Sequence, residues 1–571
     1  MFSLRHQFDP EQFRDDNAAF LDDIAFLTPR DAPPVPSIQS FHTFRDPQEG
    51  TIGKAIGSVR HQKDGALRPS QWNRAHRPQQ YHVFSSKEKW TLVAFVGMAG
   101  IFPSLSANIF LPALDTTAKS FDTTLGITTL SFTTYFAFLG VAPIIWGPLS
   151  ETLGRRAVYL LSFLIYISAS LVLSFSPHIA VLLALRGVQA AGVASIVSVG
   201  SAVVQDISPP SERDGFFSFY QGIRNATLIL APIVGGIFAN FLDFRAIFIL
   251  LLGLSTAVFI VLVLFLPETL RSVAGNGSLP LTGIRQPLIW KCKVFGRPAH
   301  VGEHEESGIP PKLVSGMFTR PLSLLKEKDA ILGLLFSSIV FTIWMMVTVS
   351  TTGLFRSVFS LNEILIGVAF IPNGLGAIVG STFIGNLLNR DFAGACSNYK
   401  ASHSLPPSVT ISKRALPADF PLEHTRLIRL PGLAVIFVIA ISFYGFTLTY
   451  PALTSRDGWI AVPLFLQFLI AAMANAICGI FQTLVADLWP EDGAAGATAS
   501  NLLRWSFAAV GVGLIQLSIE RIQVGPTFLA LGLVVMVLVP LPIVQWYWGP
   551  DWRQERDTRD QNAAGSTSVK V

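Results

Sequence analysis

From about residue 90 onward the chain repeats one pattern twelve times, a long apolar run closed by a short polar break. The runs lie at about 90–113, 126–148, 156–175, 179–204, 215–239, 245–266, 330–353, 364–388, 431–451, 459–486, 494–518 and 525–547. At 1.5 Å per residue, roughly twenty residues cross a hydrocarbon core, and every run has that length. The pattern predicts an all-α membrane protein with twelve spanning helices. The fourth and tenth runs are expected to tilt or to pass beyond the bilayer. Residues 1–89 break the pattern: they are polar, rich in Asp, Arg, Pro and Gln, and hold no long apolar run. They read as a disordered cytosolic tail without a secretory leader. Within it, Ala19 to Leu27 sets Phe and Leu among acids, which fits a short docking helix as well as a featureless tail.

Composition agrees with the pattern. Half of the 571 residues are hydrophobic and 14% are charged, against about 25% charged in soluble domains. The net charge of +5 is modest, and no basic patch interleaved with aromatics points to nucleic acid. Cys292, Cys396 and Cys478 are scattered, without metal-ligand spacing or a disulfide framework. No phosphate-cradling nucleotide motif is present, so neither ATP-driven pumping nor a cofactor is expected.

The placement of charge orients the chain. The tail, the turn after the second run, and the segments 267–329 and 389–430 hold most Lys and Arg. The opposite connections hold single cations such as Lys119, Arg245, Arg356, Arg456 and Arg521. The positive-inside rule therefore puts both termini in the cytosol. Segment 267–329 divides the helices into halves at 90–266 and 330–548, and 549–571 forms a second cytosolic tail. Two six-helix halves related about the membrane normal are one of the recurrent transporter layouts. Gly385-Asn-Leu-Leu-Asn-Arg-Asp391 after the eighth run echoes Gly147-Pro-Leu-Ser-Glu-Thr-Leu-Gly-Arg-Arg156 after the second.

Four stretches carry a family resemblance. They are Gly147 to Arg156, Arg186-Gly-Val-Gln-Ala-Ala-Gly192, Ala231-Pro-Ile-Val-Gly-Gly236, and Leu266-Pro-Glu-Thr-Leu-Arg271 with Gly275-Asn-Gly277. On these, residues 90–550 resemble the major facilitator superfamily, and within it the fungal twelve-helix drug:proton antiporters of the quinidine-resistance type. Glu151 stands where Asp is usual, and Ala231 where Gly is usual. Sugar porters share the 2–3 loop, but Trp548-Gly-Pro-Asp-Trp-Arg553 lacks their motif after helix 12. The resemblance implies proton-coupled export of small amphipathic organic compounds, with Ala231 to Gly236 the stretch associated with export rather than uptake, and not an enzyme; the alternative readings are proton-coupled uptake of a nutrient and a membrane receptor or sensor that binds a ligand without moving it. The chain is expected in the plasma membrane, with the vacuolar membrane as the other setting, and as a monomer.

The resemblance also implies roles. Gly147, Glu151, Gly154, Arg155, Arg156 and Asp206 would form a cytosolic gate, with a carboxylate able to approach the start of helix 11. Ala231, Pro232, Gly235 and Gly236 would seal or bend helix 5. Arg186 would sense protons; the other reading is an arginine that pins helix 4 to backbone carbonyls. Asp115 is the nearest carboxylate for coupling, since no Asp or Glu lies deep in the first-half helices. Polar groups on helices 1, 2, 4, 5, 7, 8, 10 and 11 would line the cavity: Asn108, Tyr135, Gln189, Trp344, Asn373, Gln467, Asn475 and Asn501. Each could equally join helix to helix.

Overall fold

In the computed structural model, residues 82–568 are described, except 210–211, 278, 280, 282, 292–313, 407–408, 410, 412–415, 418 and 491. The tail expectation, with its docking helix at 19–27, falls almost wholly outside them. Twelve helices are long and apolar enough to span: Ser86–Asn108, Leu125–Thr152, Arg155–Leu173, Ile179–Ile207, Gly215–Phe241, Phe244–Phe265, Lys328–Phe359, Glu363–Ser402, Leu422–Thr447, Ala461–Leu488, Gly493–Ile522 and Val524–Arg559. We number these as spans in chain order. The first starts earlier than its apolar run because Ser85 and Glu88 close a reciprocal capping box around its amino end. Proline sets two of the internal breaks: Pro103 follows the bend at Ile101, and Pro372 follows the bend at Phe370.

Two ends run past the apolar pattern. The longest spans are the eighth, twelfth and seventh, and the fourth and tenth, at 29 and 28 residues, are also longer than a crossing needs. The predicted loop 389–430 is helical to Ser402, and the predicted tail 549–571 is helical to Ser568. Polar ties hold both extensions. Tyr399 donates to Asp419 at 2.7 Å, and His403 pairs with the same carboxylate at 2.9 Å. The Tyr399 hydroxyl helps hold the Asp419 carboxyl below the usual carboxylate range. On the twelfth helix, Arg553 faces Glu423 at 3.5 Å and Arg556 pairs with Asp329.

The packing repeats between the halves. The second span packs on the fourth as the eighth packs on the tenth, and the third on the sixth as the ninth on the twelfth. The halves meet along two seams, second against eleventh span and fifth against eighth. The seventh span is the most enclosed. The sixth and twelfth show Ile249, Ile260, Val534 and Val537 to the surroundings, as helices against lipid would. One face of the bundle carries both described chain ends and is called the tail face here. The other is the far face.

Candidate functional site

At the tail face, the third span begins at Gly154, whose φ of +105° suits glycine. A Cβ there would also strike the Glu268 carboxylate. Glu268 lies buried just past the sixth span. It accepts from the backbone N–H groups of Arg155 at 2.7 Å, Arg156 at 3.2 Å, Thr269 at 3.1 Å and Leu270 at 3.0 Å. Arg156 returns the bond. Its guanidinium donates to the carbonyls of Leu262 at 2.8 Å, Val263 at 2.7 Å, Ile284 at 2.7 Å and Leu266. An anion thus caps the positive start of the third span, and a cation caps the negative end of the sixth. Arg155 reaches Asp206 at 3.3 Å and Ser150 at 2.7 Å.

Of the predicted gate residues, Gly154, Arg155, Arg156 and Asp206 come together, all within one half. Glu151 forms no ion pair among the described residues, and Gly147 faces open space. The start of the eleventh span meets a different partner from the expected carboxylate of the 2–3 loop. Its own Asp492 pairs at 2.5 Å with Arg320. That arginine lies on the linker helix Ser315–Leu324, which packs on both the second and eleventh spans. Sequence reasoning missed Glu268 as a working residue, reading it only as part of a family marker. The second half repeats the brace: Arg426 pairs with Asp487 at 2.6 Å, and Arg429 with Asp391 at 2.9 Å.

At the far face the fifth span closes the bundle. Ala231 is fully buried. A Cβ on Gly235 would strike the carbonyl of Ile109 at the end of the first span, and one on Gly236 the carbonyl of Glu363 in the eighth. Gly367 answers by lying against the carbonyl of Pro232. A charged knot covers this seam. Asp115, on a short helix Leu114–Ser120 beyond the first span, pairs with Lys119 at 2.7 Å and with Arg356 at 3.0 Å. Arg356 also reaches Glu363 at 2.6 Å, and Thr352 donates to the Leu111 carbonyl at 2.9 Å. Among the described residues, the one ion pair that joins the two halves, Asp115 with Arg356, lies at this face. Arg356→Ala is expected to raise the population open on the far face about fivefold, for a network worth about 1 kcal/mol. Faster maleimide modification of a cysteine at Ser350 would report it, and an unchanged rate would show the knot to be idle.

Inside the first half, Arg186 is sealed from solvent. It donates to the Ser106 carbonyl at 3.1 Å and to Gln189 at 2.9 Å. Its guanidinium lies 4.5 Å from the Tyr135 ring and 4.9 Å from Phe110, a cation–π cage. Gln189 donates onward to Ser170 at 3.0 Å, and Tyr135 to the Pro103 carbonyl at 3.0 Å. In the second half, Gln467 donates to Thr351 at 2.7 Å and Tyr444 at 3.2 Å. Arg186, Tyr135, Gln189 and Gln467 are thus enclosed within single halves. The Trp344 indole donates to Asn373 at 2.8 Å. Asn108, Asn475 and Asn501 remain half-buried. Asn108 and Asn475 donate to carbonyls one turn back on their own helices, at 2.8 Å each.

Two six-helix halves, jointed at two seams and carrying buried polar clusters at the membrane's depth, define a polytopic membrane carrier. The chain belongs to the Major Facilitator Superfamily, whose profile matches residues 96–513. It is similar to Citrate exporter 1 of Aspergillus niger, 34% identical over 84% of this chain and 89% of the relative. It is also similar to MFS antiporter QDR1 of Candida albicans, 28% identical over 78% and 86% of the two chains. Among solved structures, a POT family transporter with a bound thioalcohol-conjugated peptide shares the fold. Its TM-score is 0.54 at 13% identity, over 81% of this chain and 96% of that one.

Proposed function

We propose that the chain is a proton-driven secondary exporter of small amphipathic organic compounds, working by alternating access as a monomer, with the tail face in the cytosol. The observation that carries this reading is the glycine seam of the fifth span. Backbone-to-backbone contact at Gly236 and Gly367 is a joint that closes one face and can part without tearing side chains from either half. The same stretch is the one whose resemblance favours export. The exporter and antiporter names of the relatives agree in direction.

In this cycle Glu151, without an ion pair here, engages the opposite half when the tail face closes. Arg155 and Asp206 keep the base of the first half rigid. Arg186, caged with Gln189 and Tyr135, couples that half to protonation, and Asp115 takes part through the far-face knot. The half-buried Asn108, Asn475 and Asn501, with Trp344 and Asn373, face the transported compound. Tyr135, Gln189 and Gln467 support them from within each half.

The test is efflux of labelled organic acids, neutral drugs and amphipathic cations from cells with the chain in the plasma membrane. Expressing cells are expected to hold less of at least one compound, and a protonophore or Arg186→Ala is expected to remove the difference. Greater accumulation on expression would mean uptake, and equal accumulation of every compound would refute transport of these classes.

A further inference from the structure

Three arginines lie well inside the spans: Arg186, Arg224 and Arg504. None pairs with a carboxylate among the described residues. Arg186 is sealed in its aromatic cage, but Arg224 and Arg504 are only half-buried. They come one from each half. Counted from Gly215 and Gly493 at 1.5 Å per residue, they stand at matching depths, about 14 and about 16 Å from the tail face.

Both stand where the halves meet. Arg224 is one turn before Leu228, whose carbonyl lies 2.9 Å from the place of a Cβ on Gly374 of the eighth span. Arg504 precedes Trp505, which packs on Phe136 of the second span at 5.0 Å and on Phe341 of the seventh at 4.9 Å. Their hydrogen-bond partners are neutral. Arg224 donates to the Gln221 amide. Arg504 donates to Asn501 at 2.9 Å and, with the Gln482 amide turned oxygen-first, to Gln482 at 3.0 Å. The Nε atom of each is buried and without a partner. Amide dipoles orient a guanidinium but leave its charge in place. A charge at this depth is costly and calls for an opposite one.

We infer that the transported compound is an organic anion bearing carboxylates, held between Arg224 and Arg504. This rests on the transport reading above and names its substrate class. A guanidinium fork matches a carboxylate with two parallel hydrogen bonds, so two such groups at one depth suit a di- or tricarboxylate. The same two charges repel an amphipathic cation. Gln221, Gln482 and Asn501 hold the arginines in register while the site is empty.

The test uses the full chain in proteoliposomes with labelled citrate, succinate, benzoate, the neutral triethyl ester of citrate and a tetraphenylphosphonium cation. Wild-type protein is expected to carry at least one carboxylate and to exclude the ester and the cation. Arg224→Gln and Arg504→Gln are each expected to cut that flux at least tenfold. Arg504→Lys, which keeps the charge, should recover part of it. Citrate is expected to raise the thermal midpoint of wild-type protein in detergent and not that of the double glutamine variant, a readout that does not need turnover. Flux of the cation or the ester without any carboxylate flux would overturn the anion site while leaving transport in place. Undiminished carboxylate flux in both glutamine variants would overturn it too. No flux of any compound would overturn this inference together with the transport reading.

Discussion

Gly236→Ala is expected to cut transport at least tenfold, while Gly222→Ala on the same span stays near wild type. The difference is one of neighbours. A Cβ on Gly236 would run into the Glu363 carbonyl and come within 3.3 Å of the Gly367 Cα, whereas nothing lies within 4 Å of one on Gly222. Backbone cannot swing aside as a side chain can, so the fifth and eighth spans must separate. Overpacking of this kind costs about 1–3 kcal/mol. Here the cost falls on the form closed at the far face, because the collision is between halves. Gly235→Ala meets Ile109 of its own half instead, and is expected to lower the thermal midpoint more than it shifts the two forms. Gly367→Ala presses on Pro232 across the same seam. Pairing it with Gly236→Ala should add little, since both force the same separation. Transport assays with thermal unfolding separate these cases. Full activity in Gly236→Ala would show that the seam does not need to close.

The spans were legible because the bilayer imposes their length, and an apolar run has few other uses at that length. Their ends in water were not. What holds the eighth helix at Tyr399 and the twelfth at Arg553 and Arg556 is a set of partners on other segments: Asp419, Glu423 and Asp329. No local pattern announces them. The candidate site divides in the same way. Gly147 to Arg156 and Ala231 to Gly236 stood out because small and charged residues in apolar surroundings need a reason. Tyr135, Gln189 and Gln467 read as lining groups, and each finds its hydrogen-bond partner within its own half, because a polar group in a spanning helix only says that lipid is not its neighbour. Whether a second helix or a ligand satisfies it is settled by packing. Arg186 shows this: its cage draws Phe110, Tyr135 and Phe248 from three separate stretches. Its depth was readable, and its enclosure was not.

Glu268→Ala is expected to be the most destabilising single change at the tail face. The wild-type carboxylate takes four backbone N–H groups, two opening the third span and two in the turn that follows Glu268 itself. Removal leaves those donors short of an acceptor, at about 1–3 kcal/mol for each that water does not reach. It also removes the negative charge from the start of the third span. Arg156 would still hold the carbonyls at the end of the sixth span, but the clamp would act in one direction only. Arg155, freed at its backbone, would lose the orientation that brings it to Asp206. Glu268→Gln, which keeps one acceptor oxygen and drops the charge, should fall between wild type and alanine in thermal midpoint. Asp206→Asn should leave the midpoint closer to wild type, because the amide keeps an oxygen that can accept from Arg155 in this largely buried pair, and the change orphans no backbone group. The order expected from thermal unfolding in detergent is therefore wild type, Asp206→Asn, Glu268→Gln, Glu268→Ala. If Asp206→Asn proved the less stable of the two carboxylate losses, the base of this half would be held by its ion pair rather than by the reciprocal capping of two helix ends.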